Sequence, residues 1–495
     1  MTSETYSETA MPGTAPRHED TSIAARNRLV INILLVSAFV VMLNETIMGV
    51  AIPPIMEALG VPASAAQWLT TAFLLTMAVV IPVTGFLLQR LNTRPIFITA
   101  LSLFSIGTAV AIVSPNLEIL IAARVIQASG TAIMMPLLMT TVMTLVPPEA
   151  RGRTMGNISI VMSVAPAIGP TISGLILNYL GWQWLFILVL PIALGALLLG
   201  MRKMVDVSEP RYAPLDALSV VISAFAFGGI VYGLSNLGVP AAPGTLSPLV
   251  PLGVGLVAMV VFIARQLMLQ KTDKALLDLR TFKSTNFTFA VLMMAIMMMA
   301  MFGTIIVLPI YMQDVLKLTT LQTGLLLLPG GLLMGLLGPQ VGKLYDRVGP
   351  TKLVVPGMIV VSAVLWAMTL LGPDTWWVYI LAGHIVMSIG FAFLFTPLFT
   401  VSLSSVPPQL YSHGSAILGS IQQVMGAAGV ALFVALMTAR TNGLAEAGAT
   451  QLEALSGGVR TAFLCGAVIS LFAIAVAFFI RKPAAQPGAE AFAGH

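Results

Sequence analysis

The chain has 495 residues, of which 58% are hydrophobic and only 9% are charged, and its mean hydropathy is +0.97. Soluble domains carry roughly a quarter charged residues, so this composition excludes an ordinary water-soluble protein. A net charge of +5 would fit a nucleic-acid binder, but the placement of the basic residues along the chain indicates a membrane instead.

The predicted elements are all helices. Residues 1–28 are polar and contain no apolar segment, which predicts a disordered cytoplasmic tail and not a cleaved signal peptide. From Leu29 to Ile480, apolar runs recur that are each long enough to cross a hydrocarbon core of about 30 Å as a helix. The chain is therefore predicted to be an all-α integral membrane protein with fourteen transmembrane helices, at 29–56, 64–88, 96–113, 117–146, 153–178, 183–200, 215–236, 248–268, 287–311, 323–342, 352–371, 377–404, 413–438 and 461–480.

The Lys and Arg residues orient these helices. With fourteen spans, twenty of them fall in loops on one side and only Lys317, Arg440 and Arg460 on the other, while Arg124 lies within a span. Cytoplasmic loops collect Lys and Arg, so the pattern predicts that both termini are cytoplasmic, with a second tail at 481–495.

One loop design occurs twice, after the second and after the tenth span. The first copy is Gly85-Phe-Leu-Leu-Gln-Arg90-Leu-Asn-Thr-Arg94, and the second is Gly342-Lys-Leu-Tyr-Asp346-Arg347-Val-Gly. A glycine lets two helices approach, an Asp at a helix end can face the positive end of a neighbouring helix, and Arg can hold carboxylates, carbonyls or lipid phosphates. These residues are predicted to latch one conformation, and anchoring at the membrane surface is the alternative.

Glu45 is the only acidic residue deep within a predicted span, because the other acids lie in tails, loops or at span ends. An ionised carboxylate at such depth costs about 2.5 kcal/mol or more, so this group is suited to exchanging protons. Contact with a cationic substrate and a purely structural hydrogen bond are the alternatives. Arg124, the only basic residue within a span, is predicted to act with Glu45 in proton coupling, either by transient pairing or by organising a water-filled pathway.

Several other polar and methionine side chains lie at depth. A Met-lined cavity can adapt to varied apolar ligands, although packing explains most such methionines, and interhelical hydrogen bonding explains many buried amides and histidines. The predicted substrate-cavity residues are Asn44, Gln127, Met134, Met298, His384, Gln422 and Gln423.

The repeated loop resembles the G-x-L-x-D-R-x-G-R-[KR] loop of the major facilitator superfamily, whose two six-helix halves carry it six helices apart. In this chain the copies are eight helices apart, so the resemblance implies two inserted helices, the seventh and eighth. The resemblance implies a major facilitator fold of 6 + 2 + 6 helices, with an N-terminal bundle at 29–200, the insertion at 201–286 and a C-terminal bundle at 287–480.

Three further motifs resemble those of fourteen-helix drug:proton antiporters. Leu43-Asn44-Glu45-Thr46-Ile-Met-Gly-Val-Ala-Ile-Pro53 is similar to L-D-x-T-I-V-N-V-A-L-P, in the L-N-E-T form of the lincomycin-resistance branch. Arg124-Val-Ile-Gln127-Ala-Ser-Gly is similar to the R-x-x-Q-G motif of the fourth helix. The antiporter motif G-P-x-x-G-P-x-x-G-G of the fifth helix is matched by Pro166, Gly169, Pro170 and Gly174, where the prolines would kink the helix and the glycines would permit close packing.

The resemblance implies proton-coupled export of amphiphilic small molecules, such as drugs and antibiotics, by a multi-pass protein of the plasma membrane. Export of an endogenous lipid, peptide or siderophore is the alternative, and a non-transporting membrane sensor is a third. Neither a nucleotide-binding loop nor a catalytic or metal-ligand motif occurs in the sequence, so no enzyme activity, cofactor, metal or nucleic-acid partner is expected. The expected partners are the substrate, protons and membrane lipid, and the expected state is a monomer.

Overall fold

The computed structural model describes residues 18–207, 216–237 and 247–483, and within them fourteen helices are long and apolar enough to cross a membrane. The predicted count of spans is confirmed. In chain order the helices are α1 (His18–Leu59), α2 (Trp68–Arg90), α3 (Thr93–Ile112), α4 (Leu117–Leu145), α5 (Arg151–Tyr179), α6 (Trp184–Lys203), α7 (Ala217–Ser235), α8 (Leu249–Leu269), α9 (Thr285–Ile310), α10 (Thr320–Val348), α11 (Thr351–Met368), α12 (Trp377–Ser404), α13 (Tyr411–Glu446) and α14 (Gln451–Ala477).

Helix α1 begins before the predicted span, at His18, inside the segment expected to be a disordered tail. The apolar periodicity starts only at Leu29, but the preceding residues extend the same helix beyond the apolar run. Disorder of the tail is therefore wrong for residues 18–28, while residues 1–17 and 484–495 of the two predicted tails lie outside the described residues.

Polar side chains fix several helix starts. Asn116 accepts a hydrogen bond from the backbone nitrogen of Ile119 at 3.0 Å and starts α4. Thr319 and Thr450 each form a reciprocal capping box and start α10 and α14. Such caps satisfy backbone N–H groups that have no partner within the helix.

The helices form two bundles. In the first, α1 packs against α4, α5 and α6, while α3 and α4 pack together and α2 packs against α4. In the second, α9 packs against α12, α13 and α14, while α10 packs against α12, and α11 against α12 and α14. The bundles meet mainly along two interfaces, α5 with α10 and α2 with α13.

Helices α7 and α8 form a separate pair. They cross closely, because a Cβ on Gly229 would lie 2.9 Å from Cα of Gly255. Helix α7 packs against α2 of the first bundle and α13 of the second, whereas α8 packs against α7 and lies on the outside. The arrangement is therefore six helices, an outer pair and six helices.

The helix ends that lie beside Arg90, Arg151, Lys203 and Arg347 are called the basic end. The other ends are called the opposite end. Helix α1 runs from the basic end to the opposite end, and successive helices alternate. Which end faces the cytoplasm stays a prediction from the distribution of Lys and Arg.

Candidate functional site

Glu45 lies in the second half of α1, where a stripe of that helix becomes exposed. Its side chain is half-buried, and within the described residues its carboxylate makes neither a hydrogen bond nor an ion pair. One turn further on, a Cβ at Gly49 would meet nothing within 4 Å, and Pro53 and Glu57 continue the exposed stripe at intervals of four residues. One turn in the other direction, Val41 is fully buried. On this face of α1, exposure therefore begins at Glu45 and continues toward the opposite end.

Arg124 is buried in α4 and is only 1% exposed. Its Nη1 donates hydrogen bonds to Oδ1 of Asn44 at 3.0 Å and to Oε1 of Gln127 at 2.9 Å. Nε2 of Gln127 donates in turn to Oγ1 of Thr108 at 2.8 Å, which extends the network to α3. The guanidinium carbon also lies 4.0 Å from the centre of the Phe73 ring, a cation–π distance. Residues of four helices thus hold one buried cation.

The network leaves donors without acceptors. Within the described residues, Nε of Arg124 and Nδ2 of Asn44 are buried and have no hydrogen-bond partner. Arg124 and Glu45 do not form a direct ion pair there, although Glu45 directly follows Asn44 in α1. The predicted contact is therefore not made in this conformation, and Arg124 retains unused hydrogen-bonding capacity close to the deep acid.

The fifth-helix motif packs against α1 next to Glu45. A Cβ at Gly169 would overlap Oγ1 of Thr46, so only glycine permits this approach. Oγ of Ser173 donates a hydrogen bond to the carbonyl oxygen of Ile47 at 3.0 Å. The motif therefore fixes the position of the α1 segment that carries the acid.

Gly174 does not pack in this way, because a Cβ there would meet nothing within 4 Å. The prediction that both glycines permit close packing holds for Gly169 and is wrong for Gly174. Pro166 and Pro170 lie inside one continuous helix.

The second repeated loop joins the two bundles at the basic end. Oδ1 of Asp346 accepts a hydrogen bond from the backbone nitrogen of Gly152 at 2.8 Å, and Oδ2 accepts one from that of Arg153 at 3.0 Å. The carboxylate thus caps the positive end of α5, as the sequence predicts. Gly342 lies against the Gly152 backbone, and Arg347 is exposed.

The first repeated loop makes a weaker contact of the same kind. Nε2 of Gln89, which stands where the second copy has Asp, donates to the carbonyl oxygen of Gln409 at 3.3 Å, just before α13. A Cβ at Gly85 would lie 3.2 Å from Cβ of Ala416. The two repeated loops therefore contribute one charged contact and one neutral contact between the bundles.

The two arginines of the first loop have local partners. The guanidinium of Arg90 lies 5.8 Å from the Phe86 ring. Nη2 of Arg94 donates to the carbonyl oxygen of Met201 at 2.6 Å, and its backbone nitrogen donates to Oδ1 of Asp206 at 3.0 Å. Arg94 thus ties α3 to the end of α6 within the first bundle.

Some predicted cavity residues are packed in the interior instead. Met134 and Met298 are fully buried, so their assignment to an open cavity is wrong for this conformation. Long, flexible methionine side chains fill the space between helices here. Asn44 and Gln127 are also buried, where they serve the Arg124 network.

The remaining predicted cavity residues are half-buried. Nε2 of His384 lies 3.1 Å from the carbonyl oxygen of Leu327 in α10. Nε2 of Gln423 donates to the carbonyl oxygen of Leu74 at 3.4 Å and so links α13 to α2, while Gln422 lies beside it in α13. These residues are not brought together with Glu45 into one contact network.

Several residues of the site carry no sequence signal. Phe73 and Thr108 complete the Arg124 network, but an aromatic ring or a threonine in an apolar helix is too common to be singled out. The same holds for two side-chain hydrogen bonds between the bundles, Ser159 with Thr396 at 2.6 Å and Thr140 with Ser415 at 2.7 Å.

Two bundles of six membrane-spanning helices, with an outer pair of helices between them in the chain, are an arrangement of the major facilitator type. Residues 34–430 match the Major Facilitator Superfamily. The chain belongs to this superfamily, and it is a multi-pass plasma membrane protein and not an enzyme.

Its relatives include proteins named for drug resistance. It is 38% identical to the uncharacterized transporter YcnB of Bacillus subtilis, over 92% of this chain and 95% of that one. It is 37% identical to the lincomycin resistance protein LmrB of Bacillus subtilis, over 91% and 95%. A multidrug resistance protein B homolog of Mycobacterium tuberculosis is 28% identical, over 81% and 74%. The fold is shared with the human organic anion transporter MFSD10, with a TM-score of 0.63, 15% identity and coverage of 91% of this chain and 99% of that one.

Proposed function

We propose that this protein is a proton-coupled antiporter that exports amphiphilic small molecules, with Glu45 as the acid that carries the proton. The observation behind this proposal is the placement of Glu45: it is half-buried in the second half of α1, where the exposed stripe of that helix begins. A coupling acid must be accessible to one side of the membrane at a time. Relatives named for lincomycin and multidrug resistance support small drugs as the substrate class.

The state of the two bundles supports the direction of coupling. The contacts of Asp346 with α5 and of Gln89 with α13 close the basic end, which the Lys and Arg distribution places in the cytoplasm together with both termini. In this outward-facing state, a proton from outside reaches Glu45. After the bundles rock, Glu45 faces the cytoplasm and releases the proton, and each charge moved across 100 mV supplies about 2.3 kcal/mol for export.

Arg124 assists Glu45 in this scheme. When Glu45 is ionised, the free Nε of Arg124 can turn toward the carboxylate and offset the cost of its desolvation. When Glu45 is protonated, Arg124 stays with Asn44, Gln127 and Phe73, as in this conformation. The arginine therefore has interaction partners in both states of Glu45, while its positive charge favours the ionised one.

Reconstituted vesicles test the proposal. Glu45→Gln keeps the size and polarity of the side chain but cannot release a proton, so we expect substrate-induced proton movement to be lost. Glu57→Gln is the matched control, because Glu57 is an exposed acid on the same stripe of α1. Lincomycin and ethidium are suitable first probes, with a pH-sensitive dye inside the vesicles. Unchanged proton movement in Glu45→Gln would remove Glu45 from the coupling role.

A further inference from the structure

The two interfaces between the bundles differ at the opposite end. At the basic end both are closed, by the Asp346 contact on α5 and α10 and by the Gln89 contact on α2 and α13. Only one of them is covered from outside by the inserted pair. The α2–α13 and α5–α10 interfaces therefore differ in whether the inserted pair covers them.

Helix α7 lies over the α2–α13 interface. It packs against both helices. A Cβ at Gly228 would lie 3.3 Å from Leu75 and 3.4 Å from Val79 of α2, and the rings of Tyr232 and Trp68 are 5.8 Å apart. Contact of α7 with α2 thus continues to the last turn of α7.

The α5–α10 interface has no such cover among the described helices, since both helices pack only against members of the two bundles. A row of glycines on α10 faces α5. Gly342 and Gly338 touch the α5 backbone, and a Cβ at Gly331 would lie 2.6 Å from that of Ala167. Gly324, seven residues further along the same face, meets nothing within 4 Å. The helices therefore part within two turns of Gly331.

Helix α5 shows the same change on its own face. Gly174 follows Ala167 by seven residues and also meets nothing within 4 Å. The neighbouring side chains are apolar and largely exposed, with Tyr179 at 81% and Leu321 of α10 at 69%. Where the two helices end, Gly174 and Gly324 therefore have open space beside them, and the nearby exposed side chains are apolar.

We propose that this gap, bounded by Gly174 and Tyr179 of α5 and Leu321 and Gly324 of α10, is a lateral opening through which amphiphilic substrates leave the transporter into the outer leaflet. The inserted pair closes the equivalent route on the other side. The α5 segment just inside this gap also carries Gly169, which packs from another face of the helix on Thr46 next to Glu45. This inference rests on the export proposed above.

Fluorescence quenching tests whether lipid reaches the opening. In a Cys465→Ala background, which removes the single cysteine of the chain, Gly324→Cys and Gly174→Cys are each labelled with bimane and reconstituted in phosphatidylcholine vesicles. Part of the lipid carries bromine on its acyl chains, and iodide is the quencher in water. Gly253→Cys is the matched lipid-exposed control, because Gly253 lies in the first turns of α8 and also meets nothing within 4 Å. Leu75→Cys, beneath α7, is the covered control.

We expect brominated lipid to quench positions 324 and 174 at least half as strongly as position 253, and to leave position 75 almost unquenched. Quenching of 324 and 174 by iodide alone, or by neither quencher, would overturn the opening. The quenching measurement needs no substrate. The lateral opening can therefore be disproved while proton coupling by Glu45 holds, and proton coupling can be disproved while the opening holds.

A transport comparison tests the route itself. Gly324→Trp fills the gap, whereas Gly253→Trp adds the same side chain on the lipid-facing side of α8. We expect export of ethidium or of the most membrane-soluble transported compound to fall several-fold in Gly324→Trp relative to Gly253→Trp. Equal rates in the two variants would show that substrates do not pass between α5 and α10.

Discussion

Nη1 of Arg124 donates a hydrogen bond to Oδ1 of Asn44 at 3.0 Å, joining α4 to α1 one residue before Glu45. The drug:proton antiporter motif that this segment resembles has an acid at the position of Asn44. Here a neutral amide holds the buried guanidinium, so the charge of Arg124 is not cancelled by its direct partner. Within the described residues, the carboxylate of the neighbouring Glu45 makes neither a hydrogen bond nor an ion pair.

Replacing Asn44 by Ala removes this acceptor. The buried guanidinium then loses one of its two hydrogen-bond acceptors, and hydrogen bonds to charged groups contribute about 1.5–3 kcal/mol. We expect the free energy of unfolding in detergent to fall by about this amount, with transport reduced as α1 loses its tie to α4. Asn178→Ala, at the exposed end of α5, is the control and should behave like the wild type. Equal free energies of unfolding for Asn44→Ala and the wild type would show that this hydrogen bond does not contribute to stability.

Replacing Asp346 by Asn weakens the closed basic end, because one of the two accepting oxygens becomes an NH2 donor facing an N–H group and the side chain loses its charge attraction to the helix end. A loss of about 1–2 kcal/mol shifts the ratio of the two conformations by roughly 5- to 30-fold. A cysteine in place of Thr396, which is buried between the bundles, reports this shift through its labelling rate from the basic end.

Gln89→Ala is the matched comparison for Asp346→Asn. Its single neutral hydrogen bond of 3.3 Å is worth about 0.5–1.5 kcal/mol, so we expect a smaller increase in labelling. If Gln89→Ala opened the basic end as much as Asp346→Asn, the two loops would be equivalent and the charge of Asp346 irrelevant.

Gly342→Ala tests the close contact of α10 with α5. The added Cβ would overlap the carbonyl oxygen of Gly152 and lie 3.0 Å from Cα of Arg153, and backbone atoms cannot rotate away. We expect the basic end to stay open and transport to be lost while the protein still folds. Gly195→Ala in α6, where a Cβ meets nothing within 4 Å, should transport normally. Normal transport by Gly342→Ala would mean that this contact is not needed.

The inserted pair should respond to acid through Asp216. Nε and Nη2 of Arg265 donate to the Asp216 carboxylate at 2.7 and 2.8 Å, and the backbone nitrogen of Ser219 donates at 3.2 Å. These bonds, with that of Arg265 foremost, lower the pKa of Asp216 from 3.8 to about 2. Because the folded-state pKa is depressed, the stabilisation is present above pH 3.8 and is lost as the pH falls toward about 2.

Thermal unfolding of Asp216→Asn checks this expectation. The variant should unfold at a lower temperature than the wild type by a constant difference between about pH 5 and 8, and the difference should shrink in stronger acid. Asp314→Asn, which changes an exposed acid, should show no difference at any pH. If the difference in unfolding temperature between Asp216→Asn and the wild type grew in acid, ionised Asp216 would not be the stabilising group.

Much of the fold could be predicted from the sequence, because a bilayer constrains each helix separately. Every span must be long and apolar, and basic residues must lie in alternate loops. Each of the fourteen helices can therefore be predicted from its own stretch of sequence. The contact of Asp346 with the end of α5 was also predictable, because a carboxylate at the end of one helix is attracted to the positive end of a neighbouring helix. Helix boundaries such as His18 were not, because a helix can continue beyond the apolar run.

By itself, the sequence determined the number of spans, the superfamily motifs and the single deep acid, Glu45, because these depend on composition and spacing. Only the tertiary structure decided that Arg124 binds Asn44, Gln127 and Phe73 rather than Glu45, that Met134 and Met298 are packed inside, and that Gly174 and Gly324 face a gap. The physical reason is that an apolar helix is apolar all round in a membrane protein. Its sequence does not distinguish the faces that meet lipid, another helix or an opening between them.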